Sequence, residues 1–180
     1  MENWNKKYLE KDSSLKEAEQ YIKDNIDLLN KGSLLDLASG DGRNSIYLAK
    51  KGFNVTAADF SIEALKRLES FANKEDVSLK TALFDLSIKH NLLFLGKFDN
   101  IIICNYKIDN SLLETIETML NPNGVFMYIT FNMKQHEIKG FNKDYCLKEG
   151  ELKNKLKINL LKYESIEYMD NFKDVYIFKK

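Results

Sequence analysis

The chain has 180 residues, 44% of them hydrophobic, which is the size of one domain with enough apolar surface to close a core. Lys+Arg and Asp+Glu both number 27, and Arg43 and Arg67 are the only arginines, so neither a net field nor a guanidinium set is present to hold nucleic acid. No apolar run approaches the roughly 20 residues of a bilayer span, and the amino terminus has no hydrophobic secretion signal, so a cytoplasmic location without a membrane partner is expected.

From Leu15 to Leu29, the residues Leu15, Ala18, Tyr21, Ile22, Ile26 and Leu29 recur at three- and four-residue intervals and predict an amphipathic helix that Lys31-Gly32 ends. Ser33 to Leu37 is a short apolar run entering a glycine turn, and Ser45 to Lys51 resumes helical spacing until Gly52. Phe53 to Ala58 reads as a second strand ending at Asp59. Ser61 then caps a helix with Ile62, Leu65, Leu68 and Phe71 on one side.

Lys80 to Phe84 leads as a third strand into Asp85, Phe98 to Cys104 is a strand buried on both faces, and Ser111 to Leu120 is helical. Asn121-Pro122-Asn123-Gly124 predicts a turn before a strand from Val125 to Phe131. Strands alternating with helices imply a parallel sheet covered on both faces. Ile158 to Tyr168 and Val175 to Phe178, joined through Met169-Asp170-Asn171, predict an antiparallel hairpin closing the sheet edge. The lysine-rich stretch from Lys148 to Lys157 reads as an exposed helical face, and the segment from Phe131 to Tyr145 as a loop able to form a lid. Cys104, Cys146, His90 and His136 have no paired ligand spacing, so no metal is expected.

The chemistry concentrates in Asp36-Leu37-Ala38-Ser39-Gly40-Asp41-Gly42. A carboxylate ends a strand, and Gly40 and Gly42 follow where the backbone must turn sharply and pass close to a ligand. The helix start near Asn44 offers N–H donors to a carboxylate, and Asp36 is suited to an ammonium, so one turn can grip both ends of an amino acid. Asp59, 19 residues after Gly40, ends the next strand where a carboxylate can accept from both hydroxyls of a ribose. Asp85 either accepts from an adenine amino group or caps the next segment, with Phe60, Phe84 and Leu86 as candidates to cover the ring. Trp4 and Tyr8 either pack the terminal arm on the core or touch the ligand. His136 is either a solvated loop histidine or, with Asn132, Lys134 and Tyr145, part of an acceptor pocket. Asn105 and Tyr106 stand at the carboxyl edge of the fourth strand, where ligands of such sheets collect.

Over Leu34 to Ser61 the chain resembles motifs I and II of class I S-adenosylmethionine-dependent methyltransferases. Gly40-Asp41-Gly42-Arg43-Asn44-Ser45-Ile46-Tyr47-Leu48-Ala49 is similar in particular to the tellurite-resistance and related small-molecule methyltransferases. Trp4-Asn5-Lys6-Lys7-Tyr8 resembles the aromatic opening many of them carry, and Leu147 to Leu152 the segment that introduces their last helix.

The resemblance implies a Rossmann-like, doubly wound, mostly parallel seven-stranded α/β sheet with a C-terminal antiparallel hairpin at its edge. A single domain over 1–180 would divide into an arm and helix (1–30), a cofactor-binding core (33–131) and an acceptor side (132–180). It implies S-adenosylmethionine as cofactor, S-adenosylhomocysteine as product and a small-molecule methyl acceptor. The implied cofactor set is Trp4, Tyr8, Asp36, Ala38, Gly40, Gly42, Asn44, Asp59, Phe60, Asp85, Leu86 and Asn105, with Tyr106 and His136 on the acceptor side and no assigned catalytic base.

The family usually has glycine where this chain has Ala38, and binding is expected to survive if the backbone there keeps φ below zero. Ser45 at the place of a third glycine disfavours a dinucleotide-dependent oxidoreductase. A non-catalytic binder of the adenosyl ligand is the other reading.

Overall fold

The computed structural model describes residues 2–86 and 89–180, and the side chains of 4–86 and 92–180. The chain separates into two compact units, Met1–Leu92 and Leu93–Lys180.

The first unit opens with helix α1 (Glu2–Glu10) and a short helix α2 (Gln20–Asp24). It continues through strand β1 (Ser33–Leu37), helix α3 (Arg43–Lys50), strand β2 (Asn54–Asp59), helix α4 (Ile62–Lys74) and strand β3 (Lys80–Leu83). The three strands are parallel, with Leu35 opposite Thr56 and Ala58 opposite Ala82. β1 is buried along nearly its whole length because both of its faces are covered, and Leu34, Leu35 and Leu37 are completely buried. Helix α4 begins where the Ser61 hydroxyl accepts from the Ala64 N–H at 3.1 Å, and it turns Ala64, Leu65, Leu68, Phe71 and Ala72 inward.

The helix expected from Leu15 to Leu29 is reduced to α2 and a 3₁₀ turn over Ile26–Leu28. Tertiary contacts outweigh the periodicity here. The Glu19 N–H is spent on Asn44 Oδ1 at 2.9 Å and the Glu19 carboxylate on Arg43 at 3.0 Å, so residues 15–19 run irregularly. The apolar spacing still does its work in burial, since Ile22 and Leu29 are in the core.

The second unit contains strand β4 (Phe98–Cys104), helix α5 (Leu113–Met119), strand β5 (Leu120–Phe131), helix α6 (Met133–Lys139) and the hairpin of β6 (Asn159–Tyr168) and β7 (Asn171–Lys179). β4 and β5 are parallel, β5 and β7 antiparallel, and β6 and β7 antiparallel. Met169 and Asp170 turn the hairpin with φ of 45° and 61°, the left-handed pair that tight two-residue connections require. The strand order of the seven-stranded sheet is β3-β2-β1-β4-β5-β7-β6, which is the mixed, mostly parallel α/β arrangement with an antiparallel edge that the sequence implied.

Three expectations change in this unit. The Asn121–Gly124 segment is absorbed into β5, where it makes an irregular register against Phe98 and Asn100, with Asn123 at φ 63°. No helix forms over Lys148–Lys157. Gly150 is left-handed at φ 64°, its N–H is held by the Tyr163 hydroxyl at 3.0 Å and the Asp174 carboxylate at 3.4 Å, and the segment is a run of turns. The segment from Phe131 to Tyr145 contains α6 and a 3₁₀ turn over Lys143–Tyr145 instead of an open loop. Asn132 caps α6 by accepting from the Lys134 N–H at 3.1 Å, and Gln135 fastens the helix to β7 through the Phe172 N–H at 2.8 Å.

Buried polar groups in the second unit converge on Asp174, which is fully buried. Its carboxylate accepts from Asn132 Nδ2 at 2.9 Å, the Tyr163 hydroxyl at 3.1 Å and the Tyr176 hydroxyl at 3.3 Å. Burial together with the adjacent carboxylate pushes the Tyr163 phenol up to about 12. Among the described residues no helix is long and apolar enough to cross a membrane.

Candidate active site at the glycine turn

The turn between β1 and α3 is tightened by its own backbone. The Ser39 N–H donates to the Ala58 carbonyl at 3.1 Å and the Gly42 N–H to the Ser39 carbonyl at 3.2 Å. Gly40 and Gly42 have φ of 57° and 85°. A Cβ on Gly42 would lie 2.3 Å from Leu68 Cγ, so glycine is needed there both for its conformation and for the close approach of α4. A Cβ on Gly40 would lie 2.5 Å from the Tyr8 hydroxyl.

Ala38 departs from expectation. Its φ is +57°, left-handed rather than below zero, so the chain holds an L-residue in a conformation that the missing family glycine would adopt without strain.

Three carboxylates surround the turn and are buried. Asp36 ends in β1 at 1% exposure, and its Oδ2 accepts from the Ser45 hydroxyl at 2.6 Å, with the Ser45 backbone N–H as a further donor. Burial pushes its carboxyl up to about 7 against the lowering effect of Ser45, with the nearby Asp59 charge adding to the rise. Asp59 ends β2, and its two oxygens accept from the Gly40 N–H at 2.8 Å and the Ser61 N–H at 2.9 Å. Burial raises its carboxyl too, opposed by the Ser61, Gly40 and Phe60 backbone donors. Asp41 pairs with Lys11 at 2.5 Å and Arg67 at 3.4 Å.

The arm of α1 lies on this turn. Tyr8 places its hydroxyl beside Gly40, and burial followed by the Asp59 and Asp41 charges raises its phenol. Asn5 Oδ1 accepts from the Ser61 hydroxyl at 2.6 Å, and Arg67 holds the Lys11 carbonyl at 3.2 Å. Trp4 is 45% exposed, packs its ring 6.2 Å from Tyr8 and carries the Lys7 ammonium 4.3 Å from its ring centre.

Asn44 is buried and spends its Oδ1 on the Glu19 N–H. The Phe84 N–H donates to the Asp59 carbonyl at 2.8 Å, drawing the end of β3 toward that of β2. Phe60 and Asp85 are half-buried there, Asp85 two residues beyond β3, and Leu86 is buried.

The turn thus brings together Tyr8, Asp36, Ala38, Gly40, Gly42, Asn44 and Asp59. Asn105, Tyr106 and His136 belong to the second unit. Asn105 is left-handed at φ 58° and donates its N–H to the Ile129 carbonyl at 2.8 Å; Tyr106 is half-buried. His136 sits on α6 with Nδ1 2.7 Å from the Phe141 carbonyl, so it is a helical residue and not a loop one.

Sequence reasoning gave no role in the site to Ser45, Lys11 or Arg67. Ser45 had a signal, since it follows Asp36 by nine residues on the inner side of the helix start. The Lys11 and Arg67 pairs had none, because their contacts to Asp41 span 30 and 26 residues.

An adenosyl amino acid fits the residues present. The turn holds a close backbone approach, a buried strand-end carboxylate with lone pairs beyond those given to the backbone, and a buried Ser39 hydroxyl that makes no hydrogen bond among the described residues.

The family model of the tellurite resistance protein TehB matches residues 1–176. YqeM of Bacillus subtilis strain 168 is 39% identical over 110 residues, covering 56% of this chain and 43% of that protein. A Haemophilus influenzae strain 10810 protein named as a probable S-adenosyl-L-methionine-dependent methyltransferase TehB is 24% identical over 141 residues, 69% of this chain and 49% of its own length. The chain therefore spans about half the length, or less, of these relatives. The crystal structure of TehB from Haemophilus influenzae superimposes with a TM-score of 0.74 at 20% identity, over 91% of this chain and 62% of that one, a likeness of fold.

Proposed function

This chain belongs to the tellurite resistance protein TehB family, and on that premise we propose that it transfers a methyl group from S-adenosylmethionine to a small-molecule acceptor, acting as one domain. The observation that carries the reading is Asp59: a buried carboxylate at a strand's end, fixed by the Gly40 and Ser61 N–H groups 2.8 and 2.9 Å away. A carboxylate has about four lone-pair sites, so with Gly40, Ser61 and Phe60 as backbone donors Asp59 keeps acceptor capacity for a ribose hydroxyl. The name of the Haemophilus influenzae relative supports the same cofactor.

When bound, S-adenosylmethionine supplies an electrophilic methyl group on a positively charged sulfur. Asp59 binds at the ribose, and the backbone at Gly40 and Gly42 lets the ligand pass close. Asp36 sits behind the turn, where its negative form favours an ammonium. Tyr8 and Trp4 cover the turn from α1 and exclude water. Phe60, Asp85 and Leu86 form the adenine end, Asn105 belongs to the cofactor set, and Tyr106 and His136 belong to the acceptor side. Transfer then needs alignment of a nucleophile in line with the carbon–sulfur bond, which positioning alone accelerates strongly; a base is needed only for an acceptor that must lose a proton.

The test is methyl transfer itself. The protein is incubated with S-adenosylmethionine and separate phenol, thiol, amine and chalcogen-oxyanion acceptors, and S-adenosylhomocysteine release is followed. Acceptor-dependent release, lost in Asp59→Ala, is the expected result. Ligand binding without release for any acceptor class would favour a non-catalytic binder.

A further inference from the structure

In the second unit, one ammonium ties together the chain beyond β4 and the chain beyond β5. Lys107, three residues past the end of β4, donates from Nζ to the Cys146 carbonyl at 2.7 Å. Cys146 is itself held at the end of β5, because the next residue, Leu147, donates its N–H to the Phe131 carbonyl at 2.9 Å and bridges to Asn132. The loop carrying Lys107 is fixed as well, since the Ile108 N–H donates to the hydroxyl of the fully buried Tyr128 at 3.1 Å. Ligands of such sheets collect at this carboxyl edge.

Lys107 is half-buried and makes no ion pair among the described residues. Carboxylates of the adjoining segments are engaged with other donors. Asp109 accepts from the Ser111 N–H at 2.8 Å and its hydroxyl at 2.5 Å, and Glu151 from Asn110 Nδ2 at 3.2 Å and the Lys148 N–H at 2.9 Å. An ammonium has three donors, and one neutral carbonyl satisfies neither the other two nor the charge. Partly burying a charge without a counter-charge is unfavourable, so its retention points to an anion supplied from outside the chain. A second donor at this edge is also unused. Thr130, two residues after Tyr128 on the same face of β5, has a buried Oγ1 that makes no hydrogen bond among the described residues. Asp174, its neighbour across the sheet, takes Asn132, Tyr163 and Tyr176 instead.

Resting on the methyl-transfer reading above, we infer that Lys107 is a specificity-determining residue and that the methyl acceptor is an organic acid whose carboxylate binds the Lys107 ammonium. The carboxylate is the anchor and not the methyl-accepting atom. A single positive charge balances a monoanion. A phosphate dianion calls for arginine forks, and both arginines of the chain, Arg43 and Arg67, lie in the first unit.

The test uses the protein saturated with S-adenosylhomocysteine, titrated calorimetrically with matched acids and amides: benzoate and benzamide, 4-hydroxybenzoate and 4-hydroxybenzamide, 3-mercaptopropionate and 3-mercaptopropionamide. Wild type should bind at least one acid saturably and about tenfold or more tighter than its amide, the scale of a hydrogen bond to a charged group. Lys107→Met should bring acid and amide within about twofold of each other, and Lys107→Arg, which keeps the charge, should retain most of the preference. S-adenosylhomocysteine affinity should stay within about twofold in both variants, which separates loss of the anion partner from collapse of the loop. Absence of saturable binding by every acid, equal affinity of wild type for acid and amide, or a preference that survives Lys107→Met would overturn the assignment. Failure of wild type to bind S-adenosylhomocysteine would overturn the underlying cofactor reading, and this assignment with it.

Discussion

Replacing Ala38 by glycine should stabilise this protein. Ala38 has φ +57°, where an L-residue pays roughly 1–2 kcal/mol relative to a right-handed conformation. Glycine removes that strain but gains conformational freedom in the unfolded chain, which returns about 0.4–1 kcal/mol. The net gain is about 0.5–1 kcal/mol. At roughly 2–4 °C per kcal/mol for a chain of this size, Tm should rise by about 1–4 °C. Urea unfolding supplies the free energy, with an unchanged slope showing that the unfolded state is the same. Ala38→Val, a β-branched residue in the same conformation, should move stability the opposite way and by more. A glycine variant less stable than wild type would refute the reasoning, since it would mean that the Ala38 methyl contributes packing exceeding the backbone strain.

Gly42→Ala should cost about 3 kcal/mol in the same assay, because a Cβ there lies 2.3 Å from Leu68 Cγ and φ is +85°; a loss under about 1 kcal/mol would contradict the required close approach. Asp174→Ala should cost about 3 kcal/mol by leaving Asn132, Tyr163 and Tyr176 without their common acceptor, and a near-neutral result would show that the hub is dispensable. Stability should also depend on pH through Asp36, whose carboxyl is raised from 3.8 to about 7 in the folded protein, with Asp59 raised in the same direction. A folded state that holds protons more tightly than the unfolded one gains stability at low pH and loses it as pH rises from about 4 to about 7. The unfolding midpoint measured across that range should fall, and Asp36→Asn should flatten the fall; an equal slope in the variant would remove Asp36 as the cause.

Much of the fold was legible because β1, β2 and β4 are short, largely apolar runs between glycine and capping signals and β5 carries the apolar run Val125 to Phe131, which points to parallel strands. The hairpin of β6 and β7 was legible from two strand-like runs joined by the short connection Met169-Asp170-Asn171. Periodicity misled where distant polar contacts compete with the helix. Glu19 gives its backbone to Asn44 and its side chain to Arg43, and Gly150 gives its N–H to Tyr163 and Asp174, so neither expected helix forms. α6 was read as a loop although Asn132 caps its start and the left-handed Gly140 ends it, because it is only seven residues long and its anchoring by Gln135 on β7 is non-local.

At the site, the placement of Asp36, Gly40, Gly42 and Asp59 follows from strand-end position and glycine spacing, and that much a sequence carries. The sign of φ at Ala38 does not follow, because it is set by the close packing of the whole turn. The clamp of Lys11 and Arg67 on Asp41 depends on α1 lying against α4, and no local pattern encodes it. Ser45 shows how a residue judged only by the glycine it replaces can acquire a role of its own, here as the donor that holds Asp36.

The most direct test of the central claim is calorimetric titration of the wild-type protein and Asp59→Ala with S-adenosylmethionine, S-adenosylhomocysteine and NAD. Saturable one-to-one binding of both adenosyl ligands, no binding of NAD, and loss of the adenosyl signal in Asp59→Ala is the predicted outcome. Silence toward both adenosyl ligands, or binding that survives the loss of Asp59, would contradict it.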